Sequence, residues 1–168
     1  MRKLITILFV AILFSTTGFS QANAKLGYID SNKILAEMPE TDSLQKELKK
    51  YADYLDKQMQ TMAKEYQKKV QDYQQNVAGM SDLIRQTKEK EITDLQQRIQ
   101  AFQASADQDL ATKQNELFNP LIEKIKNAIN AVGKENGYNY ILDVGTGAVV
   151  YYDGDDVLPL VKKKLGIK

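Results

Sequence analysis

The sequence predicts an α+β protein in which a small β-rich body, built to associate with copies of itself, carries a long protruding antiparallel helical hairpin. Three observations predict it. Apolar residues recur at Leu44, Leu48, Tyr51, Leu55, Met59, Met62, Tyr66, Val70, Tyr73 and Val77. Nine steps over 33 residues give about 3.67 residues per step, the eleven-residue repeat of a helix seam. A second, less regular stripe follows after a tight break at residues 78–81, so two long helices run back along each other. Both ends of the chain, by contrast, carry short β-rich runs bounded by Gly, Asn and Asp.

Residues 1–24 read as an export signal rather than as part of the fold. Met1-Arg2-Lys3 is basic, Leu4 to Phe14 is apolar, and Ala22-Asn23-Ala24 is an A-x-A cleavage site. An eleven-residue run is too short for a membrane-crossing helix, which needs roughly 20. Cleavage after Ala24 leaves a mature chain starting at Lys25, placed outside the cytoplasm in a bacterial periplasm. With no cysteine, a lipid anchor on Cys and disulfides are both excluded.

Residues 25–30 form a strand that ends in the turn-and-cap pair Asp30-Ser31. Ser31 can cap a short helix over 32–37, which Pro39 stops. The first long helix starts near Thr41 or Ser43 and runs to about Val77, on the order of 50 Å. Gly79 breaks it, and Ser81 or Asp82 caps the return helix. That helix carries Ile84, Ile92, Leu95, Ile99, Phe102, Ala106, Leu110, Leu117 and Leu121, with Lys88 and Lys113 in seam positions. Asn119-Pro120 marks a kink or a fresh helix start, because Pro lacks a backbone donor. Helix then continues through Leu121, Ile125, Ile129 and Val132 to the region 133–137. Residues 138–144 and 148–152 are β-rich runs around Gly145-Thr146-Gly147, a hairpin signal. Asp153-Gly154 is a second turn. Asp155 or Asp156 caps a last helix ending at Gly166, with Pro159 in its first turn and Lys162-Lys163-Lys164 against its dipole.

The division is therefore a body at 25–40 and 120–168 and a hairpin at 41–119. A body of about 65 residues with three short strands is marginal alone and leaves open sheet edges. Association solves both problems. Its candidate contacts are Leu26, Tyr28, Ile141, Leu142, Val149 and Tyr151.

Chemistry is almost absent. Without His or Cys, most general-base, nucleophile and zinc arrangements cannot be built. Gly145-Thr146-Gly147 lacks the Lys-Ser/Thr and following helix of a phosphate loop, and reads as a turn. Asp153-Gly154-Asp155-Asp156 lacks the spacing and terminal Glu of a calcium loop. No catalytic residue, metal site or cofactor is assigned. Without Arg2 and Lys3 the chain holds 21 basic and 22 acidic residues, which is not the charge of a nucleic-acid binder. Charges on the two hairpin arms also balance, so no lipopolysaccharide site is assigned. Adaptable Met and Tyr residues suit a promiscuous contact surface. The stripes are too broad for one helix–helix seam, which makes Tyr51, Met59, Met62, Tyr66, Val70, Tyr73, Val77, Ile84 and Ile92 candidate contacts for a partner.

In order, a leader is followed by Lys25-Leu-Gly-Tyr-Ile-Asp-Ser-Asn-Lys-Ile-Leu, a helical hairpin, and Asn119-Pro120 with Ala-Ile-Asn-Ala-Val-Gly-Lys-Glu-Asn-Gly-Tyr. Tyr140-Ile-Leu-Asp-Val, Val149-Val-Tyr-Tyr and Asp155-Asp-Val-Leu close the chain. This succession resembles the Skp (OmpH) family of periplasmic chaperones over essentially the whole mature chain. The resemblance implies a homotrimer whose strands share a β-barrel, with three tentacles around a cavity that holds unfolded outer-membrane proteins without ATP. Flexing at Asn119-Pro120 would fit the cavity to clients of different size. The rival expectation is a coiled-coil scaffold of the envelope that binds one folded partner.

Overall fold

The computed structural model describes residues 24–167. The leader and its cleavage site lie almost wholly outside the described residues. Strand β1 (Leu26–Ile29) leads into helix α1 (Ser31–Glu37), and then come helix α2 (Thr41–Asn76) and a 3-10 turn (Val77–Gly79). Helix α3 (Asp82–Asn136) returns to strand β2 (Tyr140–Asp143), followed by strand β3 (Asp155–Asp156) and helix α4 (Leu158–Leu165). Among the described residues no helix is long and apolar enough to cross a membrane.

The seam periodicity is realised in two helices of 36 and 55 residues. Ser81 caps α3 by accepting the Ile84 N–H. Gly137 ends it in the left-handed conformation at φ 70°. Asp30, not Ser31, caps α1: its carboxylate accepts the N–H groups of Asn32 and Lys33. Ser31 is already committed, since its backbone N–H and hydroxyl both donate to Asp143.

Pro120 corrects the expected fresh helix start. It lies inside the continuous α3, and both Asn119 and Pro120 face solvent. On either side of it Leu117 is half-buried and Leu121 buried, so the packed face of the helix runs on past the proline.

The C-terminal strands differ most from expectation. No β-hairpin forms around Gly145-Thr146-Gly147, and residues 148–152 belong to no strand. Instead the sheet is parallel throughout, in the order β2-β1-β3. The Asp143 carboxylate turns back to Ser31 and to the Gly145 N–H, while Asn32 holds the Gly145 carbonyl at 2.8 Å. These bonds tie the end of β2 to α1 and direct the chain away from an antiparallel return. Asp155–Asp156, expected as a helix cap, pairs with Gly27 and Tyr28 as β3. Asp156 still accepts the Leu158 N–H at 2.9 Å, so it serves the helix start as well.

The core gathers Ile29, Ile34 and Met38 with Val157 and Val161 against one stripe of α3, Leu121, Ile125, Ala128 and Val132. That stripe has the four, three and four spacing of one helix face. Gly27 makes the packing possible, because a Cβ there would lie 2.9 Å from the Val157 Cγ1.

Candidate functional site

Two surfaces hold the residues singled out as candidate contacts: the helical hairpin and the outer face of the sheet. Cross-helix partners fix the hairpin's antiparallel register. Glu47 meets Lys113 at 2.7 Å, Lys69 meets Glu91 at 2.9 Å, and the Tyr73 hydroxyl donates to Glu89. The Lys69 hydrogen bond holds the Glu91 carboxyl below the ordinary glutamate range, and Lys69 itself is raised. Glu47 likewise raises Lys113, and the Glu89 bond raises the Tyr73 phenol. Near the body, Lys124 bonds Glu40 at 2.7 Å and lowers its carboxyl, tying the start of α2 to α3 just past Pro120.

The seam between the helices is only partly dry. Leu55 and Leu95 are buried, the latter 3% exposed. Candidate contacts Tyr51, Met59, Met62, Tyr66, Val70, Tyr73 and Val77 are all half-buried along this seam, as is Ile92 on the return helix. They seal the hairpin and keep an exposed margin. Ile84 is exposed. Sequence reasoning gave no place to Leu83, which is 74% exposed at the hairpin tip, because it fell outside the seam spacing. Tyr54, 57% exposed, stacks on Tyr51 with ring centroids 6.4 Å apart.

Parallel sheets are usually covered on both faces. Here helices cover one face, onto which Gly27, Ile29 and Ile141 point. The register sets Leu26 beside Tyr140 and Tyr28 beside Leu142 on the other face. Leu26, Tyr140 and Leu142 are exposed there, and the Tyr152 ring lies 4.5 Å from that of Tyr28. Of the six residues singled out for association, Leu26, Tyr28 and Leu142 share this face. Ile141 packs on the core instead, Val149 is half-buried, and Tyr151 stands exposed in the strandless segment after β2. Tyr140 was missed, although its two-residue spacing from Leu142 marks it as a neighbour on one face. Among the described residues there is no cluster of three or more metal-ligating side chains.

Comparison with known proteins adds a lineage to this geometry. The chaperone protein Skp of Pectobacterium atrosepticum is 24% identical over 165 residues, covering 96% of this chain and 100% of that protein. Skp of Photorhabdus luminescens is 24% identical over 98% of this chain and 99% of its own length. Skp of Yersinia enterocolitica is 25% identical over 83% and 87% respectively. The family described as outer membrane protein (OmpH-like) matches residues 25–165, helices, sheet and final helix together. By that match the chain belongs to the OmpH-like family.

Proposed function

We propose that this chain is an ATP-independent holdase chaperone of the periplasm, which binds unfolded outer-membrane proteins and keeps them from aggregating. It acts by binding, not by catalysis. The observation that carries the reading is an α-helical hairpin mounted on a sheet with one open apolar face, in a chain of the OmpH-like family whose relatives are named chaperones.

The open sheet face, Leu26, Tyr28, Tyr140 and Leu142, is where copies associate into a symmetric trimer with a shared β-barrel. Residues 25–40 and 120–168 form that body, and 41–119 form tentacles that wall a common cavity. Export by residues 1–24 delivers the chain to the periplasm. Many weak contacts from several tentacles restrain a client without one deep pocket, so affinity comes from multivalency. The exposed margins of Tyr51, Met59, Met62 and Tyr66 supply adaptable contacts. Pro120 lets each tentacle swing on its body.

Light scattering after size exclusion tests the reading, with the protein alone and mixed with a urea-diluted outer-membrane β-barrel. The expected result is a trimer alone and a soluble complex heavier by one client. A trimer that leaves the client to precipitate would move the assignment to a scaffold for a folded partner.

A further inference from the structure

Two parts of the body are left unpaired in a single copy: the outer edge of β2 and the segment that follows it. Strand β2 pairs with β1 on one side and, among the described residues, with no strand on the other. Such an edge presents peptide N–H and C=O groups that only water or another strand can satisfy. Between β2 and α3 lies a trough made of two hollows. One, of about 380 Å³, is floored by Leu35, Ile122, Ile125 and Ile129 and reaches Asp143 at the end of β2. The other, of about 210 Å³, runs along Gly133, Asn139, Tyr140 and Ile141. Ile129 and Asn130 line both hollows, which joins them into one channel alongside the strand.

Residues 148–152, Ala-Val-Val-Tyr-Tyr, favour a strand by composition, yet they belong to none. Val150 is 98% and Tyr151 82% exposed, more than any other large apolar side chain among the described residues. The chain does not bring this run to its own β2 edge. Asp143, Ser31 and Asn32 hold the turn after β2, and the segment passes to the far side of β1. There Tyr152 lies 4.5 Å from Tyr28, and Asp155 pairs with Gly27. Because β2 ends beside Ile29 and β3 starts beside Gly27, the run travels back against the strand direction.

Resting on the assembly proposed above, we infer that residues 148–152 of one copy form a strand on the outer β2 edge of the next. With copies related by a rotation axis along the strands, the backward run meets β2 antiparallel, the slightly more stable pairing. Side chains of the donated strand alternate between its two faces. Val150 and Tyr152 join Tyr140 and Leu142 on the open face, the side on which Tyr152 already meets Tyr28. Val149 and Tyr151 then turn into the trough. A tyrosine has an apolar body and a polar tip, which suits an isoleucine floor with Asn130 and Asn139 at its rim. Each copy gives one strand and receives one, so a closed ring leaves neither an edge nor a run over. The edge borders the open face of Leu26, Tyr140 and Leu142, and one neighbour therefore covers both.

The chain has no cysteine, so introduced disulfides report this contact without background. The protein beginning at Lys25 is made with Val150→Cys and, separately, with Tyr140→Cys or Leu142→Cys, and the two kinds are mixed and mildly oxidised. A disulfide between Val150→Cys and one β2 position is expected, at a yield about fivefold above that with Leu83→Cys at the hairpin tip. With both cysteines in one chain, a denaturing gel should show a covalent ring of three chains. A disulfide closed within one chain would overturn the inference, because the run would then fold back on its own edge. Loss of the disulfide when an unfolded outer-membrane β-barrel is added would overturn it too, assigning the trough to client strands. Val150→Pro, at a solvent-exposed position, removes a strand N–H and should reduce the mass in light scattering while helical content stays. A three-chain mass kept by that variant, with no disulfide between copies, would end the inference and leave the assembly standing. A one-chain mass for the unaltered protein would remove the assembly, and the inference with it.

Discussion

Leu83 and Leu95 stand twelve residues apart on α3 and separate the two roles a leucine has in this hairpin. Leu95 is buried in the seam, while Leu83 is among the most exposed apolar side chains of the chain. Leu95→Ala should cost about 2–5 kcal/mol by emptying packed volume, and Leu83→Ala should leave stability within about 0.5 kcal/mol. Paired denaturant melts check both. Gly27 shows the converse constraint. Any side chain there meets Val157 and Tyr138, so Gly27→Val should destabilise the body by about 1–3 kcal/mol. An unchanged melt would mean that Val157 can step aside. Leu83, outside the seam spacing, received no place, whereas Leu95 was legible in the sequence because it fits that spacing. The Gly27 constraint was not, since its neighbours come from more than a hundred residues away.

At the level of elements, α2 and α3 are held by a buried line plus a few cross-helix ion pairs, and those pairs are sensitive to acid. Glu91 and Glu40 have carboxyls below the ordinary glutamate value in the folded protein. A lowered folded value contributes stability that is fully present above the unfolded value, near about 4.3, and is lost as pH falls below it. Melting temperature should therefore drop between about pH 5 and pH 3. The double variant Glu40→Gln, Glu91→Gln should show a smaller drop; an equal one would assign the acid response to other carboxylates. Pro120 belongs to this scale too. Replacing it with Ala restores a backbone donor inside a continuous helix, so Pro120→Ala should raise the melting temperature. In small-angle scattering it should also narrow the spread of tentacle positions. An unchanged spread would strip Pro120 of its hinge role.

For the whole molecule, the decisive feature is a sheet with helices on one face and solvent on the other. An isolated copy exposes Leu26, Tyr140 and Leu142 together, and burying them against other copies removes that apolar area from water. Stability should accordingly rise with protein concentration. Leu142→Arg, on the open face and away from the core, should reduce the mass seen by light scattering to that of one chain. The helical content should survive, because no contact of the body core involves the Leu142 side chain. Retention of the full assembly by this variant would place the interface elsewhere.

The sequence by itself determined the two long helices, their reversal at residues 78–81 and the helical course through Leu121, Ile125 and Val132. Each is written in local spacing, caps and breakers: the eleven-residue seam repeat, Ser81 or Asp82 as a cap and the glycines of the region 133–137 as a stop, among which the structure selects Ser81 and Gly137. Only the tertiary structure decided the sheet. Gly145-Thr146-Gly147 carries the local signal of a hairpin, yet the side chains of Asp143, Ser31 and Asn32 bind across 112 and 113 residues of chain and set β2 parallel to β1. A parallel neighbour can come from anywhere in a sequence, so no local pattern announces it.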